Sequence, residues 1–184
     1  MSPDIRVLVA VQDSIGSLPG VVTLARGMSH FGEHALGWIA IGAVGAVVDG
    51  PRREKWASVA VGAVGAHAAS IVVKRISRRR RPTHPSVRVG VGTPSKFSFP
   101  SSHATSSTAA ALLIGRACGV PVAAAIVPAM VLSRLVLGVH YPSDVLAGTA
   151  LGALAAAATV RAEDNAAVRF GPTVRAAATT AGEQ

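Results

Sequence analysis

The sequence predicts an all-α fold, an integral membrane helical bundle of about five transmembrane helices preceded by short N-terminal interfacial helices. Half of the 184 residues are apolar and only 15% are charged, whereas about a quarter of the residues in a soluble domain are charged. Much of the apolar content is Ala, Val and Gly, small residues that let helices approach closely in lipid. The charged residues are gathered into short stretches between long apolar segments.

The N-terminal region predicts two short helices rather than a membrane span. Residues 4–12 and roughly 20–30 mix apolar and polar side chains, and Pro19-Gly20 separates them. Proline and glycine interrupt regular structure, and a helix with one polar and one apolar face lies at a membrane interface. We therefore predict that residues 1–32 form interfacial helices.

Five nearly uncharged segments predict the transmembrane core, residues 33–162. Several are shorter than the ~20 residues that a span prefers, so a soluble helical bundle is the alternative. Their shared lack of charge and the polar breaks between them favour the membrane. With the N-terminal helices they form one predicted domain, 1–162, and the Ala-rich remainder, 163–184, is predicted to be a flexible tail. The segments are 35–48, 56–73, 104–118, 120–132 and 145–160.

The net charge of +9 favours an anionic partner. The basic residues lie between apolar segments without the interleaved aromatic residues that stack on bases, so we predict no nucleic-acid partner. A membrane surface or a phosphorylated substrate explains the charge better. Cys118 is the single cysteine, and no HExxH or paired-carboxylate motif occurs, so the sequence predicts no metal and no cofactor.

The first polar cluster runs from Lys74 to Pro82 and contains five arginines. Lys74 and Arg81 are seven residues apart, about two helical turns, which predicts that both project from one helical face with Arg78 between them. Two cations on one face can clamp an anion. The structural alternative is a solvated positive flank beside a membrane span.

The second polar cluster is Phe99-Pro-Ser-Ser-His103, directly before an Ala-rich segment. Proline and serine are typical of helix starts, and free backbone N–H groups at a helix N-terminus bind phosphate. His103 would then face a bound anion. An ordinary helix cap that happens to contain a histidine is the alternative.

The third polar cluster reads Ser-Arg-Leu-Val-Leu-Gly-Val-His-Tyr-Pro-Ser-Asp and ends at Asp144. Pro142 suits the first turn of the last helix. That start leaves His140 on the preceding loop and Asp144 in the first turn, close enough to accept a ring N–H and leave the other nitrogen free. A packing or capping histidine is the alternative.

Together the clusters read Lys-x6-Arg-Pro, Pro-Ser-Ser-His and Ser-Arg-x5-His-x3-Asp, in that order. This pattern resembles the signature of the type 2 phosphatidic acid phosphatase (PAP2) family, over about residues 74–144. One position differs, because Ser102 stands where the family usually has glycine. The backbone N–H of a serine still serves as a donor, so a working site with a slightly altered phosphate cradle is expected.

The resemblance implies a role for each matching residue in a metal-independent phosphatase. His140 would attack phosphorus and form a phosphohistidine, Asp144 would orient it, and His103 would protonate the leaving oxygen and then activate water. The groups that would hold the phosphoryl oxygens are Lys74, Arg81, Ser101, Ser102 and Arg134. Arg78 and His84 are further candidates for substrate binding, whereas His30 and His67 are interpreted as structural residues.

The resemblance also predicts a lipid-linked phosphate substrate in a bacterial plasma membrane, with the side of the active site left open. The Pro-Ser-Ser-His-Ala-Thr-Ser-Ser run and the Ala-rich composition are similar to compact actinobacterial members. This similarity favours decaprenylphosphoryl-5-phosphoribose, an intermediate of cell-wall arabinan precursor synthesis. A general lipid phosphate or polyprenyl diphosphate phosphatase is the alternative enzyme, and a non-catalytic basic membrane scaffold is the alternative of another class.

Overall fold

The computed structural model describes residues 1–181, and the regular structure in this range is helical. Short 3-10 turns at Glu33–Ala35 and Gly50–Arg52 precede the third and fourth of its seven α-helices. The predicted all-α fold is confirmed. The helices are α1 Pro3–Ser14, α2 Val21–Phe31, α3 Leu36–Val48, α4 Arg53–Ser77, α5 Ser102–Cys118, α6 Ala123–Val136 and α7 Pro142–Ala181.

All five predicted core segments are helices, but they differ in length. Gly50–Ser77 and Pro142–Ala166 are long and apolar enough to cross a membrane. α2 and the segment Glu33–Val48 meet the same test as a pair bent by 51°. By length and composition the described residues therefore contain two spans, or three with the bent pair, against the five predicted. α5 has 17 residues and α6 has 14, which is short for a span.

The ends of the helices place the polar clusters. Ser101 caps α5, its Oγ accepting from the N–H of Ala104 at 3.4 Å, and Pro142 begins α7 as predicted. α4 ends earlier than predicted, because Arg78 adopts a left-handed conformation with φ 49°. The prediction that Lys74 and Arg81 share a helical face is therefore wrong, since Arg81 lies on the loop after α4.

Glycines bring α7 against α5. A Cβ atom on Gly148 would lie 2.7 Å from the carbonyl oxygen of Ser101, so a larger residue would separate the two helices. This close approach lets the N–H of Ser101 donate to the carbonyl oxygen of Asp144 at 3.0 Å. The start of α5 and the start of α7 are therefore fixed beside each other.

The two N-terminal helices pack on the core. Leu8 of α1 contacts a buried cluster with Leu135 and Val145, and Ala25 of α2 packs with Val136 and Val139. This packing places α1 and α2 beside the second and third polar clusters. Their predicted position at the membrane interface and the predicted domain bounds stay predictions.

The C-terminal segment continues α7. The helix extends to Ala181, so most of the tail predicted at 163–184 is helical, and its flexibility stays a prediction. Residues 182–184 lie outside the described part of the chain.

Candidate active site

All three polar clusters meet at one cavity of about 980 Å³ between α2, α4, α5 and the loops that follow α4 and α6. A volume of this size is typical of sites for small molecules. Asp144 and Ser101 are fully buried and lie behind the cavity wall. The predicted site residues that line it are Lys74, Arg78, Arg81, Ser102, His103, Arg134 and His140.

His140 has its two ring nitrogens held in different environments. Nε2 lies 3.2 Å from Nη1 of Arg81, and a guanidinium can only donate, so Nε2 is the acceptor and the proton is on Nδ1. Nδ1 lies 3.6 Å from Oδ2 of Asp144, longer than a hydrogen bond. Catalytic hydrogen bonds often reach their final length only when substrate is bound.

The protonation state of His140 suits a nucleophile. Burial lowers its pKa to about 3, and the positive charges of Arg81 and Lys74 act in the same direction, against the raising effect of Asp144. The ring is therefore neutral at pH 7. Its Nε2 therefore carries an unprotonated lone pair at the cavity wall, where it accepts from Arg81.

Asp144 belongs to a chain of charged contacts that starts in α1. Its Oδ2 accepts from the N–H of Tyr141 at 2.8 Å, and its Oδ1 accepts from Arg79 at 2.9 Å. Arg79 also donates to Asp4 at 2.8 Å and lies 4.1 Å above the ring of Tyr141. Asp4, Arg79, Asp144 and His140 thus form a connected series.

Asp4 ties α1 to the first turn of α7. Its carboxylate accepts from the N–H of Ser143 at 3.2 Å and from the hydroxyl of Ser143 at 2.6 Å. Burial opposes ionisation, but the bonds from Ser143 and Arg79 outweigh it and lower the pKa of Asp4 below its ordinary value. Asp4 is therefore an ionised anchor of the helix that carries Asp144.

His103 is oriented by the backbone of α2. Its Nε2 lies 2.9 Å from the carbonyl oxygen of Ser29, which can only accept, so Nε2 is protonated and Nδ1 is the nitrogen left to exchange a proton. Gly32 packs against the ring carbon next to Nε2, since a Cβ atom on Gly32 would lie 2.9 Å from Cδ2. The ring position therefore depends on both residues.

Arg134 is a buried cation with an unused donor. Its Nη1 donates to Oγ of Ser29 at 3.1 Å and its Nη2 to Oγ of Ser133 at 3.1 Å. Its Nε is buried without a hydrogen-bond partner among the described residues. A buried unsatisfied donor is unfavourable until a ligand pairs with it. Arg134 is thus prepared for an anion.

Lys74 and Arg81 are also held by neutral oxygens. Nζ of Lys74 donates to the carbonyl oxygen of Pro100 at 2.5 Å, and Arg81 donates to Ser95 at 2.8 Å and to Val139 at 2.7 Å. Neither cation forms an ion pair with a carboxylate within the described part of the chain. Their positive charge therefore remains available to a bound phosphate.

The N-terminus of α5 supplies backbone donors. Ser101 satisfies two first-turn N–H groups, that of Ala104 through its Oγ and that of Thr105 through its carbonyl oxygen. The N–H groups of Ser102 and His103 have no intrahelical partner at this position. These two groups can bind phosphoryl oxygens, whereas Ser101 acts as the cap.

Two predicted candidates for substrate binding behave differently. Arg78 lines the cavity, but His84 does not. Nδ1 of His84 accepts from the N–H of Ser86 at 3.2 Å, and its carbonyl oxygen accepts from Val87. The structure therefore places His84 in a loop turn away from the cavity.

Several residues at the site were not predicted. Ser29 and Gly32 lie in a short helical region without a motif, and Arg79 is one of four successive arginines, so no local signal marks them. His67 lines the cavity, although it was interpreted as structural. It precedes Lys74 by seven residues on α4, and that spacing places both on one helical face.

Comparison with known proteins gives a family match and close relatives. The family model "PAP2 superfamily" matches residues 55–167, more than half of the chain. A protein of Mycolicibacterium smegmatis named decaprenylphosphoryl-5-phosphoribose phosphatase is 58% identical over 142 residues, which cover 77% of this chain and 79% of that protein. A protein of the same name from Mycobacterium tuberculosis H37Rv is 53% identical over 150 residues, covering 82% and 85%.

A solved structure has the same fold. It is the first transmembrane PAP2 type phosphatidylglycerolphosphate phosphatase from Bacillus subtilis, with a TM-score of 0.66 over 89% of this chain and 88% of the other. At 22% identity this likeness concerns the fold. Together with the apolar helices it indicates a membrane protein.

Proposed function

This chain belongs to the PAP2 superfamily, as its motifs predicted, and on that premise we propose that it removes a phosphate group from a lipid-linked substrate through a phosphohistidine at His140. One observation carries the proposal. The cavity brings the neutral His140, with its Nε2 lone pair free of a proton, together with His103 and three cations that have no carboxylate partner among the described residues.

In the first step the Nε2 lone pair of His140 attacks phosphorus. The N–P bond forms as the bond to the leaving alcohol oxygen breaks, and the ring becomes positively charged. Asp144, 3.6 Å from Nδ1, stabilises that charge. Arg81 donates to Nε2 before attack, so its donor group is beside the phosphoryl oxygens as the new bond forms.

His103 moves the protons. Burial and the charge of Arg134 lower the pKa of His103 to about 3 in the site without substrate, so we propose that its Nδ1 is protonated when the negatively charged substrate binds. The protonated His103 keeps Nε2–H on the Ser29 carbonyl and gives the proton on Nδ1 to the leaving oxygen. In the second step the neutral Nδ1 takes a proton from water as the water oxygen attacks phosphorus. The N–P bond breaks, and its electrons return to Nε2 of His140. Phosphate is the product and both histidines are restored.

The cations stabilise the charge on the phosphoryl group. Lys74, Arg81 and Arg134 face the cavity, and charge in phosphoryl transfer spreads over the equatorial oxygens. Fixed cations in a buried site lower the barrier without rearranging during the reaction. We therefore propose that the activity is independent of added metal and persists in EDTA.

For the substrate we propose decaprenylphosphoryl-5-phosphoribose, from which the 5-phosphate is removed during synthesis of cell-wall arabinan precursors. Support comes from the name of the two mycobacterial relatives at 53–58% identity. The apolar helices that surround the cavity suit a polyprenyl tail. The corresponding location is the bacterial plasma membrane.

The test is phosphate release by the purified protein in neutral detergent. The panel contains a prenylphosphoryl-5-phosphoribose, a polyprenyl diphosphate, phosphatidylglycerol phosphate and phosphatidic acid. We expect preference for the phosphoribose compound, in the presence of EDTA, with an acid-labile phosphoenzyme that is absent from His140→Ala. Hydrolysis of the other lipids alone would disprove the proposed substrate, and full activity of His140→Ala would disprove the mechanism.

A further inference from the structure

The mouth of the active-site cavity holds a second group of cations, Arg75, Arg78 and Lys96, that the proposed reaction does not use. Unlike the buried Lys74 and Arg134, all three are exposed. Nε of Arg78 donates to the carbonyl oxygen of Arg75 at 3.2 Å. We call these three residues the rim cations.

The rim cations differ from four other arginines of this chain in their partners. Arg52, Arg79, Arg88 and Arg116 each form an ion pair with a carboxylate. The rim cations form none with the described carboxylates. Glu33 also lines the cavity, and it lies 4.0 Å from Nδ1 of His30. A concave site lined by unpaired positive charge attracts and concentrates anions.

The backbone of Arg78 is a second observation that points to a ligand. Arg78 caps α4 with φ 49° and ψ 24°, in the left-handed region where helices usually end with glycine. A non-glycine residue is strained there, and such strain is concentrated at functional sites. Arg78 therefore keeps a guanidinium at the cavity, at a position where the backbone conformation favours glycine.

We propose that the rim cations form a second anion subsite, which binds the phosphodiester of the substrate while the inner cations bind the phosphomonoester that is removed. This inference rests on the proposed function, because decaprenylphosphoryl-5-phosphoribose carries both groups on one ribose. The spacing fits. The N–H of Arg78 donates to the carbonyl oxygen of Lys74 at 3.0 Å, so the backbones of the two residues are about one helical turn apart.

The test compares two substrates that differ in the phosphodiester. One is a short-chain prenylphosphoryl-5-phosphoribose, and the other is an alkyl riboside 5-phosphate, which has the same monoester and no second phosphate. Both are assayed in neutral detergent micelles. For the double variant Arg75→Gln/Arg78→Gln we expect KM to rise about tenfold for the first substrate, while kcat/KM for the second stays within about twofold of wild type.

Two further variants separate binding from folding and from general charge. Arg78→Gly removes the guanidinium and suits a positive φ, so it should raise KM for the two-phosphate substrate while the thermal midpoint stays equal to wild type or higher. Arg80→Gln is the matched control, because Arg80 is exposed and does not line the cavity. It should leave both substrates unchanged.

Three results would overturn the inference: equal losses on both substrates, no loss on either, or a loss that appears only when phosphatidylglycerol is added to the micelles. The last result would assign the rim cations to lipid head groups. A wild-type protein that hydrolyses neither phosphoribose compound would instead disprove the proposed function, and this inference with it. Wild-type hydrolysis of both compounds without an effect of the variants would disprove the subsite alone.

Discussion

The region from α4 to α7 and the N-terminal region, residues 1–35, contribute to the active site in different ways. The first region supplies the proposed reacting groups, His103 and His140, and the cations that face the cavity. The second supplies the groups that hold them. Asp4 anchors Arg79 behind Asp144, and Ser29 contacts both His103 and Arg134.

This difference shows why a family motif describes only part of an active site. A reacting residue must have one chemical identity, whereas a supporting contact can come from a backbone carbonyl or a glycine at any suitable place in the chain. The family model accordingly matches residues 55–167, and the supports from α1 and α2 lie outside it. Four substitutions test this division of labour.

The largest effect is expected from the motif region, at Asp144. Asp144→Asn removes the charge that stabilises the positive ring of His140, and by analogy with catalytic triads kcat should fall by about 10³–10⁴-fold. Phosphate release and phosphoenzyme formation measure this. Thermal unfolding is recorded in parallel, because Arg79 loses one of its two carboxylate partners. An active, stable Asp144→Asn protein would remove Asp144 from the mechanism.

The next effect is expected at Gly32, in the supporting region. An alanine there would press on the His103 ring, and a displacement of about 1 Å costs roughly 10²-fold in kcat. Gly27→Ala is the matched control, since no described atom outside its own helix turn lies within 4 Å of its Cβ position. Gly27→Ala should stay fully active and gain about 0.5–1 kcal/mol of stability. Equal activity of the two variants would show that the position of the His103 ring does not depend on the contact with Gly32.

A smaller effect is expected at Ser29. Ser29→Ala removes the hydroxyl that binds Arg134 but keeps the carbonyl that binds His103. KM should therefore rise about tenfold, the usual cost of one hydrogen bond to a charged group, and kcat should change much less. Steady-state kinetics distinguish the two parameters. A fall in kcat with unchanged KM would mean that Ser29 acts on His103 and not on the phosphate-binding cation Arg134.

The smallest effect is expected at Asp4, and it depends on pH. Because the pKa of Asp4 in the fold lies below its ordinary value of 3.8, the ionised form stabilises the protein above that value, and the contribution is lost as the pH falls through the lowered pKa. Asp4→Asn should lower the thermal midpoint by about 2–4 °C at pH 7. The difference from wild type should shrink as the pH approaches 3. A constant difference would contradict this role.

The sequence predicted helices at the core segments because uncharged, small-residue stretches between polar breaks have few other stable forms in lipid. It placed the start of α5 at the Pro-Ser-Ser-His cluster and the start of α7 at Pro142, since helix starts depend on a few local residues. The cap at Ser101 was identified only in the structure. The sequence misplaced the end of α4, because an arginine in the left-handed conformation has no local signal. Arg81 consequently reaches the cavity from a loop.

The sequence by itself determined the family and the chemical identity of the proposed reacting groups, because a nucleophile, a proton carrier and a phosphate clamp each require particular side chains at fixed spacing. Only the tertiary structure decided which nitrogen of each histidine is free, since that depends on Arg81 and on the Ser29 carbonyl, 59 and 74 residues away in the chain. The tertiary structure also decided which cations are buried, such as Lys74 and Arg134, and which are the exposed rim cations. Burial and hydrogen bonding arise from contacts between distant segments, so a local sequence pattern predicts neither.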